Sequence, residues 1–243
     1  MKTCLIIQLR PEDETADNEF AAICNYGELL PNEVTRVRAE QTGIPELNLD
    51  DYWAIIVGGS PFDISTPTAE KSETQLQLEA DFEQLLEQVI TRDFPFLGAC
   101  SGNGLLGKQL GTPISKTYGE PVGGVDMHLT PAGTIDPLMN DFPDTIRVLV
   151  GHKEACDYTP DGATLLGYSD TCPVEMFRVG QNVYATQFHP EGDPEGFTVR
   201  VNIYKHHGYF PPETADDLIA RIAGEETPFA HELLRRFIAR YRD

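Results

Sequence analysis

The sequence predicts an α/β protein with an open, mostly parallel twisted sheet flanked by helices. Three observations support this. Short apolar runs alternate with helical patterns through the first half. A β-rich middle section, punctuated by Gly and Pro, spans residues 112–183, and the chain turns helical again after His189. Strand–helix alternation favours a parallel sheet, because each parallel crossover needs a helix to return the chain. The β-rich middle either extends that sheet or adds a small antiparallel one.

The elements follow in order. Residues 3–9 (TCLIIQL) read as a short buried strand, and an acidic stretch over 12–19 precedes a helix through Phe20, Ala21, Ile23 and Leu29. Residues 51–57 (DYWAIIV) form the next strand, ending in the turn signal Gly58-Gly59-Ser60-Pro61. A helix is expected over 68–92, where Leu78, Phe82, Leu85, Leu86 and Val89 make one apolar face. Residues 94–99 (FPFLGA) are an apolar strand that enters Cys100 and a small helix over 102–110. The middle holds the β-like runs PISKTY, VDMHL, IRVLV, ATLLGY, VEMFRV and NVYATQF. Helices are expected over 197–206, 213–223 and 228–241.

The 243 residues fit one large domain, at roughly 100–200 residues per domain. No Pro/Ser/Gly-rich linker interrupts them, so a single domain over 1–243 is expected, with a core over 1–191 and a helical extension over 192–243. Lys and Arg total 18 against 39 Asp and Glu, a formal net charge of −21. That balance argues against binding a nucleic-acid backbone or an anionic membrane surface. No run approaches the roughly 18 apolar residues of a membrane span, and the start of the chain lacks the pattern of a signal peptide. The five Cys are odd in number, widely spaced and free of CxxC, which disfavours a disulfide framework and a zinc site. A reduced, cytoplasmic setting follows. The adjacent His206 and His207 have no nearby Cys or acidic ligand and read as surface residues, so no metal is expected.

Leu97-Gly98-Ala99-Cys100-Ser101-Gly102 is strand, then G-x-C-x-G, then helix: the cysteine form of the nucleophile elbow. A sharp turn of this kind pushes the side chain out beyond the carboxyl end of the sheet. The helix N-terminus beneath the sulfur favours thiolate, and the N–H of Ser101 is placed to donate to an oxyanion. A buried structural Cys between unrelated glycines is the plainer alternative. A reactive Cys needs a base and the base an orienter. His189 follows a strand, Pro190 biases it to extended geometry, and residues two apart in extended chain share a side. Glu191 then reaches the imidazole, whereas the plainer alternative is an ordinary loop. The Gly58-Gly59 turn can leave an N–H for an oxyanion, or be only a tight turn. No phosphate-loop motif is present.

Taken together, the segments IIVGGSP, FLGACSGNGLLGKQLG and VYATQFHPEG resemble the class I (triad-type) glutamine amidotransferase family, over roughly residues 1–191. The stretches LTPAGTIDPL and VGHKEACDYTPDGATLLGYSDTCPVEMF are similar to the subgroup resembling the glutaminase domain of GMP synthase. The resemblance implies a flavodoxin-like fold with Cys100 as nucleophile, His189 as base and acid, Glu191 as orienter, and the N–H groups of Gly59 and Ser101 as oxyanion hole. It implies hydrolysis of the glutamine side-chain amide through a γ-glutamyl thioester. No cofactor is needed, and any ammonia acceptor would be a separate synthase subunit. One position departs. The family reads C-x-G-x-Q where this chain has Cys100-Ser101-Gly102-Asn103-Gly104. Gly104 stands where a substrate-holding Gln is usual, and His152-Lys153-Glu154 resembles a His-x-Asp segment near the cleft. The substrate is then glutamine or another γ-glutamyl compound, as for a γ-glutamyl peptidase acting on glutathione-like or γ-glutamyl amine conjugates. A non-catalytic regulatory member is the third alternative.

Overall fold

In the computed structural model, which describes residues 2–206 and 210–242, the chain builds outward from one buried strand. β1 (Thr3–Gln8) is flanked by β2 (Val34–Arg38) and β3 (Tyr52–Val57), both parallel to it. α1 (Asp13–Tyr26) makes the first crossover, and the four-residue α2 (Ala39–Thr42) follows β2. The acidic stretch lies inside α1 rather than before it. Asp13 and Glu14 occupy its first turn, where the helix dipole favours negative charge. β2 escaped the sequence reading because VTRVR alternates Arg with Val and is half-buried throughout, as suits an edge strand.

α3 (Glu73–Thr91) starts later than the periodicity suggested, because Ser72 caps it, accepting the Gln75 N–H at 3.1 Å. Residues Thr68–Glu70 form a separate 3-10 turn. β4 (Phe96–Ala99) leads into α4 (Ser101–Gln109). β5 (Ile114–Ser115) pairs with β8 (Ala155–Cys156) as a separate small sheet. The rest of the middle section extends the main sheet: β6 (Glu120–Leu129), β7 (Thr145–His152), β9 (Ala163–Tyr168), β10 (Met176–Val179) and β11 (Val183–Thr186). α5 (Pro194–Tyr204), α6 (Ala215–Ile222) and α7 (Pro228–Tyr241) complete the chain. The strand order is β2-β1-β3-β4-β11-β10-β9-β6-β7. The five strands from β2 to β11 are mutually parallel, and the remaining four join antiparallel, so the sheet is mixed.

Alternate residues of the parallel strands feed opposite faces, as a period of two requires. Cys4, Ile6, Ala54 and Ile56 pack with Ile23, Leu233 and Phe237 of α1 and α7. Leu5, Ile7, Ile55 and Val57 pack with Leu78, Phe82 and Leu105 of α3 and α4. Among the described residues no helix is long and apolar enough to cross a membrane.

The parallel strands β1, β3, β4 and β11 release their chain ends at one edge of the sheet, the usual ligand crevice of such folds. Arg10, Gly59, Cys100 and His189 follow these four strands within a few residues. The backbone ties them together. Cys100 N–H donates to the Thr186 carbonyl at 2.7 Å, and Gly58 N–H to the Ile7 carbonyl at 3.1 Å.

Gly98 sits under the first turn of α4. A Cβ there would lie 2.8–2.9 Å from the Gly102 backbone. Gly98→Ala is expected to cost about 1–3 kcal/mol by overpacking, lowering Tm by about 2–4 °C per kcal/mol in a chain of this size. Thermal melts check this; an unchanged Tm would show that α4 can move off β4.

Candidate active site

Cys100 is a non-glycine residue in the left-handed region, at φ 52° and ψ −93°. Such a conformation is costly for a residue with a Cβ and persists only where the surroundings fix it. Here the Thr186 carbonyl holds its N–H, and the Asn103 and Gly104 N–H groups donate to its carbonyl at 3.0 and 3.2 Å. The turn sets Cys100, a partly exposed residue, at the start of α4. The helix end favours a thiolate, and burial of the sulfur works against it. Burial pushes the thiol up to about 12, although Arg10 and Arg200 pull the other way.

His189 Nδ1 lies 2.8 Å from Glu191 Oε1. The pairing comes from a tight turn, with Gly192 N–H donating to the His189 carbonyl at 3.0 Å, rather than from continued extended chain. Arg200 Nη2 donates to the same Oε1 at 2.8 Å. Burial alone would raise the Glu191 carboxyl, but His189 and then Arg200 outweigh it and hold it well below the usual carboxylate range. A charged Glu191 only accepts, so His189 carries its proton on Nδ1 and leaves Nε2 as a base. Burial lowers the imidazole. Burial thus disfavours the charged form of both the thiol and the imidazole.

The Gly59 N–H differs from the sequence expectation. It donates to Glu19 Oε2 at 3.1 Å instead of standing open as an oxyanion donor. Glu19 projects from α1 with no exposed surface, accepts from Arg10 Nε at 2.6 Å and Gln8 Nε2 at 3.1 Å, and lies 4.0 Å from Arg200 Nη2. A Cβ on Gly59 would meet Arg10 Nη2 at 2.4 Å and His189 Cε1 at 2.7 Å, so only glycine fits between them. Arg10, Glu19 and Arg200 were not singled out from the sequence. The available signals were an Arg directly after a buried strand (IIQLR) and a lone Arg in an apolar helix (FTVRVNIY).

Two clefts meet at Cys100. The first is lined by His189, Arg10, Arg200, Tyr204 and Phe197. The second is lined by Ser101, Gly104, Ile64, Asp63, His152 and Lys153. Gly104 faces Ile64, whose Cδ1 would lie 2.7 Å from a Cβ there, so the 60s loop fills the space of a larger residue. Glu154 pins that loop by accepting the Ile64 and Ser65 N–H groups at 2.5 and 2.8 Å. Lys153 Nζ pairs with Asp63 at 2.9 Å.

A second Cys-His-Glu grouping lies behind His152, which is buried rather than on a solvated loop. Glu120, His152 and Cys172 bring their side-chain ligand atoms within 4.8 Å of one another, as Glu19, His189 and Glu191 also do. This geometry is compatible with amide hydrolysis in kind. Both His152 nitrogens are engaged, however, by the Glu154 carbonyl at 3.0 Å and Glu120 at 2.8 Å. Cys172 has no exposed surface, and burial followed by Glu175 pushes its thiol far up. Glu175 is also fully buried, beside the Glu120 carboxylate. Burial and then the Glu120 carboxylate push its carboxyl well above the usual range.

The family pattern described as glutamine amidotransferase class-I matches residues 16–201. The chain is 28% identical over 144 residues to a glutamine amidotransferase-like protein of Salmonella typhimurium, covering 59% of each chain. It is 28% identical over 181 residues to one of the subunits of the glutamine-hydrolyzing GMP synthase of Methanobrevibacter smithii, covering 73% of this chain and 81% of that one. Among solved structures it resembles SMU.1228c, with TM-score 0.74, 21% identity and coverage of 99% and 100%. It also resembles a glutamine amidotransferase from Thermotoga maritima, with TM-score 0.69, 22% identity and coverage of 98% and 99%.

Two outcomes follow from this geometry. Alkylation of Cys100 by iodoacetamide, read on its peptide by mass spectrometry, should accelerate from about pH 6 to about pH 9 with no plateau. A plateau below about pH 8 would reveal a resting thiolate. Glu175 holds a proton when folded and loses it in the unfolded chain at ordinary carboxyl pH, so its stability cost grows as pH rises above the unfolded value. Glu175→Gln should therefore raise Tm more at about pH 8 than at about pH 5. An equal change at both would contradict the buried acid.

Proposed function

Because the chain belongs to the glutamine amidotransferase class-I family, we propose that Cys100, His189 and Glu191 carry out its amide hydrolysis. Cys100 Sγ attacks the side-chain amide carbon of glutamine and passes its proton to His189 Nε2. The oxyanion takes the Ser101 N–H, and Arg10 Nη2, packed against Gly59, supplies the positive charge that the Glu19-bound Gly59 N–H does not. Collapse breaks the C–N bond. His189 returns its proton to the nitrogen, which leaves as ammonia. Water, deprotonated by His189, then cleaves the γ-glutamyl thioester to glutamate and restores the thiol. Glu191 holds the imidazole tautomer throughout and is itself held by Arg200.

One observation carries this reading. Cys100 and His189 line the same cleft, with Glu191 bonded to the far imidazole nitrogen. The Cys172 grouping has a thiol without access and a histidine with no nitrogen to spare. We take the chain to act as one cytoplasmic glutaminase unit, the segment over 192–243 packed on the core. The similarity to a chain of a multi-subunit GMP synthase supports a separate synthase chain as ammonia acceptor. Gly104, with Ile64 over it, favours a second reading in which another γ-glutamyl compound replaces glutamine.

Ammonia and glutamate release from glutamine tests the assignment. Cys100→Ala should lose at least about three orders of magnitude in kcat, while Cys172→Ala stays within about tenfold of the parent. Equal activity in Cys100→Ala and the parent would sink the nucleophile.

A further inference from the structure

The turn that brings Glu191 to His189 is gripped from outside by two helices. Its next residue, Gly192, is buried. A Cβ there would meet Phe197 Cε2 at 2.8 Å and His189 Cβ at 3.0 Å. Two side chains from the C-terminal segment bond to the Gly192 carbonyl. His231 Nε2 lies 2.9 Å from it, and the buried Thr227 donates its hydroxyl to it at 3.2 Å. A carbonyl only accepts, so the His231 proton on this side sits on Nε2. Thr227 immediately precedes α7 and His231 lies one turn into it. Leu233, Leu234 and Phe237 seat the same helix in the core. Thr227 and His231 both fall beyond residues 16–201, the stretch that matches the family pattern.

Asp193 is held in the same way. Tyr26, at the end of α1, donates its hydroxyl to Asp193 Oδ2 at 2.6 Å, and its ring stacks on His231 with centroids 3.6 Å apart. Asp193 Oδ1 caps α5 by accepting the Gly196 N–H at 2.7 Å. α5 carries Arg200, which donates to Glu191. The grip therefore reaches Glu191 twice, through the turn to His189 and through the helix that holds Arg200. Among the described residues, neither Thr227, His231 nor Tyr26 lines either cleft at Cys100.

We propose that Thr227 and His231 are positioning residues for the triad, so that the C-terminal segment sets the His189–Glu191 contact and with it the rate of the chemical step. This rests on Cys100, His189 and Glu191 acting as assigned above. Removing the two donors strips a buried carbonyl of its partners and lets the turn shift. Misplacing a catalytic group by about 1 Å is enough to cost about a hundredfold in rate. Substrate binding is left alone, so the loss falls on kcat and not on KM.

Glutamine hydrolysis is measured in full-length His231→Phe, which keeps a ring against Tyr26 but has no donor, alone and combined with Thr227→Val. Thermal melts show that each variant is folded at the assay temperature. The double variant should lose at least about tenfold in kcat with KM within about twofold of the parent. His231→Gln, whose side-chain amide can place an N–H where Nε2 stands, should stay within about twofold of the parent in kcat. Proton NMR reads the contact without turnover. The downfield His189 Nδ1–H resonance, assigned by its loss in His189→Gln, should move or broaden in the double variant and stay in place in His231→Gln. A parent-like kcat or an unmoved resonance in the double variant overturns the positioning role. So does a rise in KM alone, or an equal loss in His231→Phe and His231→Gln. If the parent releases no ammonia from glutamine, the triad assignment fails instead, and the resonance alone decides whether Thr227 and His231 set the His189–Glu191 contact.

Discussion

A carboxylate with no exposed surface has to be answered by donors, and the way Glu19 is answered organises this end of the sheet. Gln8 and Arg10 from the end of β1, Gly59 from the end of β3 and Arg200 from α5 all converge on it. Its contacts fix the Gly58-Gly59 turn from beneath and hold Arg10 against the face of Gly59. Through Arg200 the network continues to Glu191 and so to the imidazole of His189. Breaking one partner of such a buried array leaves the others uncompensated, which costs far more than the pair contributes. The strand ends are therefore held together by charge where the apolar sheet stops.

Much of this was legible in the chain, and the rest was hidden for identifiable reasons. Strand–elbow–helix at Cys100 reads directly, because Gly98, Cys100 and Gly102 are forced by geometry that few other sequences satisfy. The helical extension reads equally well, since α7 has a clean apolar stripe and its bounds agree with the sequence. β2 was missed because an edge strand needs no apolar run, and α1 started early because its acidic turn faces water and the helix dipole rather than a core. The role of Glu19 could not be read locally. It depends on a helix residue reaching a loop forty positions away, a relation set by the sheet order rather than by spacing. The same holds for the mixed sheet, whose antiparallel half is decided by pairing partners.

The two Cys-His-Glu groupings show why residue types alone do not define a site. Both place similar atoms at similar separations. One opens to a cleft and keeps an imidazole nitrogen in reserve, while the other is sealed and fully bonded. Access and the spare lone pair are what distinguish the two groupings. The sealed group still borders the open one, because His152 ends β7 beside the second cleft and Glu154 fastens the loop that carries Ile64.

The resting state of Cys100 has a consequence for the life of the protein in a cell. Peroxide and most adventitious electrophiles attack thiolates, not thiols. A sulfur whose burial disfavours the thiolate is correspondingly slow to react with them. Selectivity thus begins before any substrate contact. The elbow that carries Cys100 beyond the sheet also shields its sulfur chemically, so the same turn supplies both reach and restraint.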